Sequence, residues 1–541
     1  EETADFKAWH KDKGRADPGC PDGETIPEVF LRRCELMPGK IACADGRSGI
    51  LTYRKMRVRV LLLAAYIKTL PGKYIGVMLP ASVGANVVVL ATQLAGKVPV
   101  MVNWTVGPRH LKAILHATGV HRILTAWGFI DRMRNVDLSG IEDQMVMLED
   151  VARELSLGQK LGAVLDSFKS TKTLVKKHGL DKISADDAAV VLFTSGTESL
   201  PKGVPLSHKN IISNQRSAVP AVKLQADDIL YGTLPPFHSF GFSITGLLPL
   251  LTGIKVAYSP DPTDCKRLAK GIEKWGITIY CSAPTFLKGV LRVSKPEQLK
   301  SVRLFVTGAE KAPPELEAKV AELGAKAEFL EGYGITECAP ILTFNLPGHK
   351  RKGVGRPVPG VELAVVHPET HTEIEPGKSG LVLAHGPNVF SGYLNAKNVR
   401  DPFIEFNGRR WYNTGDLGYI DAEGNLHLVG RQKRFVKIGG EMVSLGSIET
   451  VLYEAAPEKG WTLGEEGPSL AVCSTEETGE RPRIFLFTRF ETTLEEVNAS
   501  LRQAGFSNLV KVGALRKLDA IPVLGSGKIN YRELEQTYCM Q

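Results

Sequence analysis

Short apolar runs bounded by Gly or Pro recur along the first three quarters of the chain, together with stretches of helical period, and this alternation constrains the fold more than any other feature. The runs are Tyr74-Ile-Gly-Val-Met-Leu79, Val98-Pro-Val-Met-Val102, Ala189-Val-Val-Leu-Phe193, Ile277-Thr-Ile-Tyr280 and Arg303-Leu-Phe-Val306, with helical patterns such as Pro108 to Thr118 and Pro313 to Leu323. Such alternation predicts α/β layers with largely parallel sheets. From Gly353 the pattern changes to short strands with frequent turns, as in PVPGVELAVVHPET, GKSGLVLAHGP and EGNLHLVG, so a barrel-like β subdomain is expected over about 353–431. Beyond GRQKR, helices around Ser447 to Ala455 and Leu494 to Ala504 return. The expected architecture is α/β: a large N-terminal domain over 1–431 and a small, mobile α+β domain over 432–541, joined near Arg431 to Arg434 by a short hinge. A length of 541 residues is too great for one core. The stretch Lys160 to Lys182 reads as a solvated excursion. There is no internal repeat, and no amphipathic helix stands out.

The least charged stretch, Phe240 to Ile254, is too short to span a bilayer. The N-terminal sequence EETADFKAWHKDKGRADPG is charged and has no signal-peptide run. Eight scattered cysteines form no CxxC pair, a pattern of reduced thiols rather than a disulfide or zinc framework. A cytoplasmic location is expected, with peripheral membrane association left open. From Lys433 onward there are 13 Lys and Arg against 15 Asp and Glu, so the formal charge of +8 becomes −2 in this part and +10 in the rest. The basic part suits an acidic protein, a nucleotide or an anionic membrane, and equally a solvated face.

The run Val190-Val-Leu-Phe193 enters Thr194-Ser195-Gly196-Thr197-Glu198-Ser199-Leu200-Pro201-Lys202-Gly203, followed by SHKNIISN as a helix start. Strand, then a loop of hydroxyls and glycines, then helix is a geometry that aims backbone N–H groups at phosphate. It is not a Walker A motif. Nor is the tail segment IPVLGSGKINY, where Ile529 follows Lys528 and Pro522 stands at the first motif glycine.

Further blocks follow in order: PPFHSFG at 235–241, TGAEK at 307–311, EGYGITECAP at 331–340, YNTGDLGYID at 412–421 and GRQKRFVKIGGEMVSL at 430–445. Together they resemble the adenylate-forming superfamily of acyl-CoA synthetases, luciferases and peptide-synthetase adenylation domains, over roughly residues 45 to 535. The resemblance implies that ATP is held by Thr194, Ser195, Gly196, Thr197 and Lys202, with adenine sandwiched by Gly308, Ala309, Glu310, Gly332 and Tyr333. It implies that Asp416 accepts the ribose hydroxyls with Arg431 in support, that Thr336 touches the α-phosphate and that Glu337 anchors Mg²⁺. Lys528 would contact the carboxylate substrate and the α-phosphate while acyl-AMP forms. His238 would either orient that carboxylate or serve as a packing residue. Lys433 matches a hinge position, and Gly439, Gly440 and Glu441, in the loop from Lys437 to Leu445, match the element lining a pantetheine tunnel.

An apolar acid suits Phe237, Phe240 and Phe242 with Leu247 and Leu248 nearby, and FHSFGFS offers no Asp for an amino group. A fatty acid is therefore the expected substrate. The details AEK, ECAP, GEMVSL and LGSGK are similar to the synthetase half of bacterial acyl-acyl-carrier-protein synthetase/2-acylglycerophosphoethanolamine acyltransferase. No His here has Asp five residues on, so the chain resembles the free-standing, chlamydial type of synthetase, with holo acyl carrier protein as acceptor and a role in phospholipid metabolism. CoA as acceptor is the alternative; a non-catalytic nucleotide or lipid binder is the more distant one. No nucleic-acid partner is expected.

Overall fold

The computed structural model describes residues 6–106, 108–133, 136–194, 201–308, 310–323, 327–395, 401–438, 441–464, 467–475, 482–507, 509–524 and 528–539. Two compact units emerge, one built mainly from the chain up to Glu362 with His385–Asp401, the other from Leu363–Ala384 and Pro402–Gln541. The smaller unit thus includes strands that the expected boundary at 431 gave to the larger domain. Its continuity is visible at Ser444, whose hydroxyl donates to the Val429 carbonyl at 3.5 Å.

The larger unit carries two sheets. In the nine-stranded one, Leu304–Thr307 pairs in parallel with Ile279–Ser282 and Glu328–Gly334, and antiparallel strands close both edges. Its buried core includes Tyr231, Tyr280, Phe305 and Trp275. The six-stranded sheet runs Met145–Met147, Ile123–Thr125, Tyr74–Val77, Val98–Met101, Ala188–Thr194, Lys202–Ser207. Its first five strands pair in parallel, as expected from apolar runs separated by helices, and the last is antiparallel.

That last strand corrects one expectation. Between the phosphate-type loop and the helix start expected at SHKNIISN lies an unexpected strand, Lys202–Ser207, paired with Ala188–Thr194 in the register Thr194↔Lys202; the helix start itself is where it was expected. Val204 and Leu206 are fully buried, the period of two that a strand requires. Pro205 disguised it, since proline inside a sheet is confined to edges and bulges. The helix His208–Ala221 starts only after it, with Ser207 and Asn210 forming a capping box.

Lys160 to Lys182 is largely exposed, as expected of a solvated excursion, but it is helical: it overlaps Leu157–Asp166 and holds Thr171–His178, and Glu35 accepts from the Thr171 backbone at 2.9 Å. Serines at 156 and 170 cap both helices, so the residues that suggested solvated chain are helix starts.

In the smaller unit, Gly380–His385, Phe403–Phe406 and Leu426–Arg431 all pair antiparallel with Arg409–Ile420. Beyond them, Phe435–Ile438 and Glu441–Ser444 form a hairpin where a loop was expected. The three strands Leu470–Thr475, Arg483–Thr488 and Val512–Lys517 pack with the helices Leu445–Lys459 and Leu494–Gln503 over a core of Ile448, Leu452, Val472, Leu486, Val497 and Leu501. Among the described residues no helix is long and apolar enough to cross a membrane, and none of the eight cysteines is in a disulfide.

Candidate active site

Four of the sequence blocks meet in the larger unit. Gly308 follows the strand Leu304–Thr307, and Gly332 lies in its parallel neighbour Glu328–Gly334. Carboxyl ends of adjacent parallel strands are where open α/β sheets bind ligands. A Cβ on Gly308 would stand 3.4 Å from the Gly332 carbonyl and 3.6 Å from the Phe240 ring, while one on Gly332 would run into the Phe344 ring at 2.7 Å. Gly332 therefore answers a packing need at this edge, while Gly308 sits at ordinary contact distance from the Gly332 carbonyl and the Phe240 ring. Glu310 accepts from the Thr285 hydroxyl at 3.0 Å, and Tyr333 is buried.

Just beyond, Thr336 and Glu337 sit in a short 3-10 turn, Thr336–Cys338. Glu337 is buried yet satisfied: the Tyr393 hydroxyl donates to its Oε1 at 2.8 Å, and its carbonyl accepts from the Phe390 N–H at 2.8 Å. The Lys202 ammonium lies 4.9 Å from the centroid of the same tyrosine ring. Tyr393 is thus a hub, its hydroxyl on a carboxylate and its ring face under a cation. The Thr336 and Ser239 hydroxyls are 3.4 Å apart, which brings the PPFHSFG block to the same place.

Neutral amides support the turn. Asn210 donates to the carbonyls of Pro387 and Val389, both at 2.9 Å, and Asn214, one helical turn on, donates to Ile341 at 2.7 Å. Asn388 donates to Cys338 at 2.8 Å. Such groups position a carboxylate without neutralising it. Tyr393, Asn388, Asn210 and Asn214 were missed from sequence. The segment Gly386 to Tyr393 carries no periodicity, and the only signal was an aromatic residue in the polar turn SGY.

His238 opens an aromatic ladder. Its ring lies 4.6 Å from Phe237, Phe237 lies 4.5 Å from Trp104, and Trp104 lies 4.8 Å from Phe129. The next residues, Phe240–Leu247, form a buried π-helix, a conformation found mostly at functional sites. The sequence indicated the apolar character of this segment but not its winding.

In the smaller unit, Asp416 faces Arg431 across the strand pair, with Arg431 Nε 3.2 Å from Asp416 Oδ1. Asp416 is fixed through its own N–H, which donates to the Thr414 hydroxyl at 3.1 Å, and that hydroxyl donates to the Val382 carbonyl at 2.8 Å. Lys433 follows in the 3-10 turn Gln432–Arg434. Immediately after it Arg434 is locked, donating to both oxygens of Glu449 at 2.9 and 3.2 Å and to the Val472 carbonyl, with its guanidinium 3.6 Å from the centroid of Tyr531. Lys528 is exposed, and its carbonyl accepts from Leu524 at 2.7 Å beside the bridge Val523↔Ile529. Glu441 opens the second strand of the 435–444 hairpin. Ser195, Gly196, Thr197, Ala309, Gly439 and Gly440 lie outside the described residues.

A hard cation such as Mg²⁺ is held by one or two carboxylates together with substrate phosphates. Glu337, aimed by an uncharged hydroxyl rather than paired with an arginine, fits that need.

Comparison with known proteins agrees with the order of the blocks. The family model "AMP-binding enzyme" matches residues 30–394. The chain is 27% identical to 4-coumarate–CoA ligase 2 of Oryza sativa subsp. japonica, over 93% of this chain and 90% of the relative. It is 28% identical to the long-chain-fatty-acid–CoA ligase of Escherichia coli O6:H1, over 90% of each. Its fold matches the o-succinylbenzoate coenzyme A synthetase of Bacillus subtilis, solved with ATP and magnesium ion, at a TM-score of 0.76 and 22% identity over 94% of this chain and 98% of that one. The chain belongs to the AMP-binding enzyme family, the adenylate-forming group that its sequence blocks resemble.

Proposed function

We propose that the protein activates a fatty acid with ATP to acyl-AMP, releasing pyrophosphate, and then passes the acyl group to the phosphopantetheine thiol of holo acyl carrier protein. The observation that carries this reading is the meeting of Lys202, Tyr393 and Glu337 beside Thr336, with an apolar aromatic ladder starting at His238.

In the first step a carboxylate oxygen attacks the α-phosphorus and pyrophosphate leaves with the electron pair of the broken P–O bond. Two unit charges 4 Å apart repel by about 4 kcal/mol at an effective dielectric of 20, so cations must offset the approach. Mg²⁺, when bound, supplies part of that offset. Glu337 would hold it, with Tyr393 fixing the rotamer. Thr336 would donate to the α-phosphate, Lys202 and the loop from Thr194 would bind the outer phosphates, and the segment at Gly308 would take the adenine. Asp416 and Arg431 would grip the ribose. Lys528 would bring a positive charge to the carboxylate and α-phosphate together. The aromatic ladder would exclude water and receive the apolar chain, with His238 orienting the carboxylate.

In the second step the thiolate attacks the acyl carbon and AMP leaves. The segment 432–541 would turn about Lys433 to exchange Lys528 for the Gly439, Gly440 and Glu441 element.

The acceptor rests on the blocks AEK, ECAP, GEMVSL and LGSGK. CoA is the second reading, favoured by relatives named as CoA ligases. Steady-state rates with CoA and with holo acyl carrier protein, across fatty acids of several lengths, test the choice. A higher kcat/KM for the carrier protein is expected; turnover with CoA alone would replace it by the second reading.

A further inference from the structure

A helix at the surface of a soluble protein normally turns its apolar stripe inward. The helix Leu157–Asp166 does the reverse. Leu157, Leu161, Val164, Leu165 and Phe168 are 79%, 64%, 41%, 68% and 65% exposed, while Ala163 and Ser167 make its buried side. The spacing of these five residues puts them on one face. The ridge is firmly formed: Ser156 and Gln159 close a capping box, Arg57 donates to the Lys169 carbonyl, and the Arg54 guanidinium stands 5.0 Å from the Phe168 ring centroid.

Charge says what covers it. Between Leu157 and Lys182 the chain carries Lys160, Lys169, Lys172, Lys176, Lys177 and Lys182, all exposed, against Asp166 and Asp181. Asp166 is already engaged by Lys169 at 2.7 Å and by Lys177. A second copy docked through the same face would bring one lysine-rich segment up to another. An acidic protein would match the lysines but leave a protruding row of leucines to bury. An anionic bilayer satisfies both, taking the apolar side chains below the headgroups and the ammonium groups among the phosphates. We propose that the face made by Leu157, Leu161, Val164, Leu165 and Phe168, in a segment rich in exposed lysines, docks the protein on an anionic membrane surface.

Co-sedimentation of the full chain with phosphatidylcholine vesicles, pure or carrying about 25% phosphatidylglycerol, tests this. The account expects binding to the anionic vesicles, weakened by salt and cut at least about tenfold in the double variant Leu161→Glu/Leu165→Glu. Lys172→Glu/Lys176→Glu should also weaken it, with far-UV circular dichroism unchanged. Should the leucine variant unfold, the lysine variant and the salt dependence decide alone. The proposal is overturned if the wild type ignores both vesicles, if the variants bind as well as the wild type, or if the leucine face instead mediates a concentration-dependent dimer.

Discussion

In the larger unit Glu337 is 8% exposed, with its carboxylate and its carbonyl both engaged. In the smaller unit the Arg431 side chain is 65% exposed beside Asp416, and Lys528 is exposed. The carboxylate is ordered during folding, so no further ordering cost falls on the reaction. A long cationic side chain carries about 2 kcal/mol of rotamer entropy, part of which is given up when it closes on a ligand. On the proposed reading the difference separates Glu337, whose performance depends on local packing, from Lys528, whose performance would depend on a movement of the segment 432–541.

The largest effect should come from the exposed side. Lys528→Ala is expected to slow fatty-acid-dependent pyrophosphate exchange by about 10² to 10³, while thioester formation from supplied acyl-adenylate changes far less. Equal loss of both steps would remove the distinction between the units. Glu337→Gln should cost about 10² in exchange and move the Mg²⁺ titration to higher concentration; an unchanged titration would take the metal away from this residue. Tyr393→Phe keeps the ring under Lys202 but removes the bond to Glu337, and about a tenfold loss is expected, read in the same titration.

The last effect is on stability rather than on rate. Burial pushes the His208 imidazole down to about 4, with Asp187 opposing the shift, and its Nδ1 accepts the Ile26 N–H at 3.1 Å. The unfolded chain takes up this proton near 6.5 and the folded chain only near 4. Stability is therefore full above about 6.5 and falls as pH drops toward 4, by about 3 kcal/mol at most. In urea unfolding at several pH values, His208→Gln should flatten that slope without changing exchange activity. A slope identical to the wild type would assign the acid loss elsewhere.

The parallel strands were legible because apolar runs of four to six residues between Gly and Pro have few alternative uses. Motif order brought Lys202, Thr336 and Glu337 into one expected site; in the structure Lys202 and Glu337 both meet Tyr393, and Thr336 precedes Glu337 in its turn beside Ser239. Tyr393 itself was not legible, because a hydroxyl aimed at a carboxylate 56 positions away leaves no local pattern. The strand Lys202–Ser207 was hidden by Pro205, and the helix Leu157–Asp166 by its outward apolar face, which reads as loop when burial is taken for granted. Both misreadings arise where a local rule meets an edge or a surface with a separate purpose.

The central claim is that acyl transfer runs through two separable half-reactions. Fatty-acid-dependent exchange of labelled pyrophosphate into ATP, measured with no thiol present, tests it most directly. The account predicts exchange that needs ATP, Mg²⁺ and fatty acid alone, with AMP accumulating catalytically only once a thiol acceptor is added. Exchange that appears only with the thiol, or production of ADP in place of AMP, would contradict it.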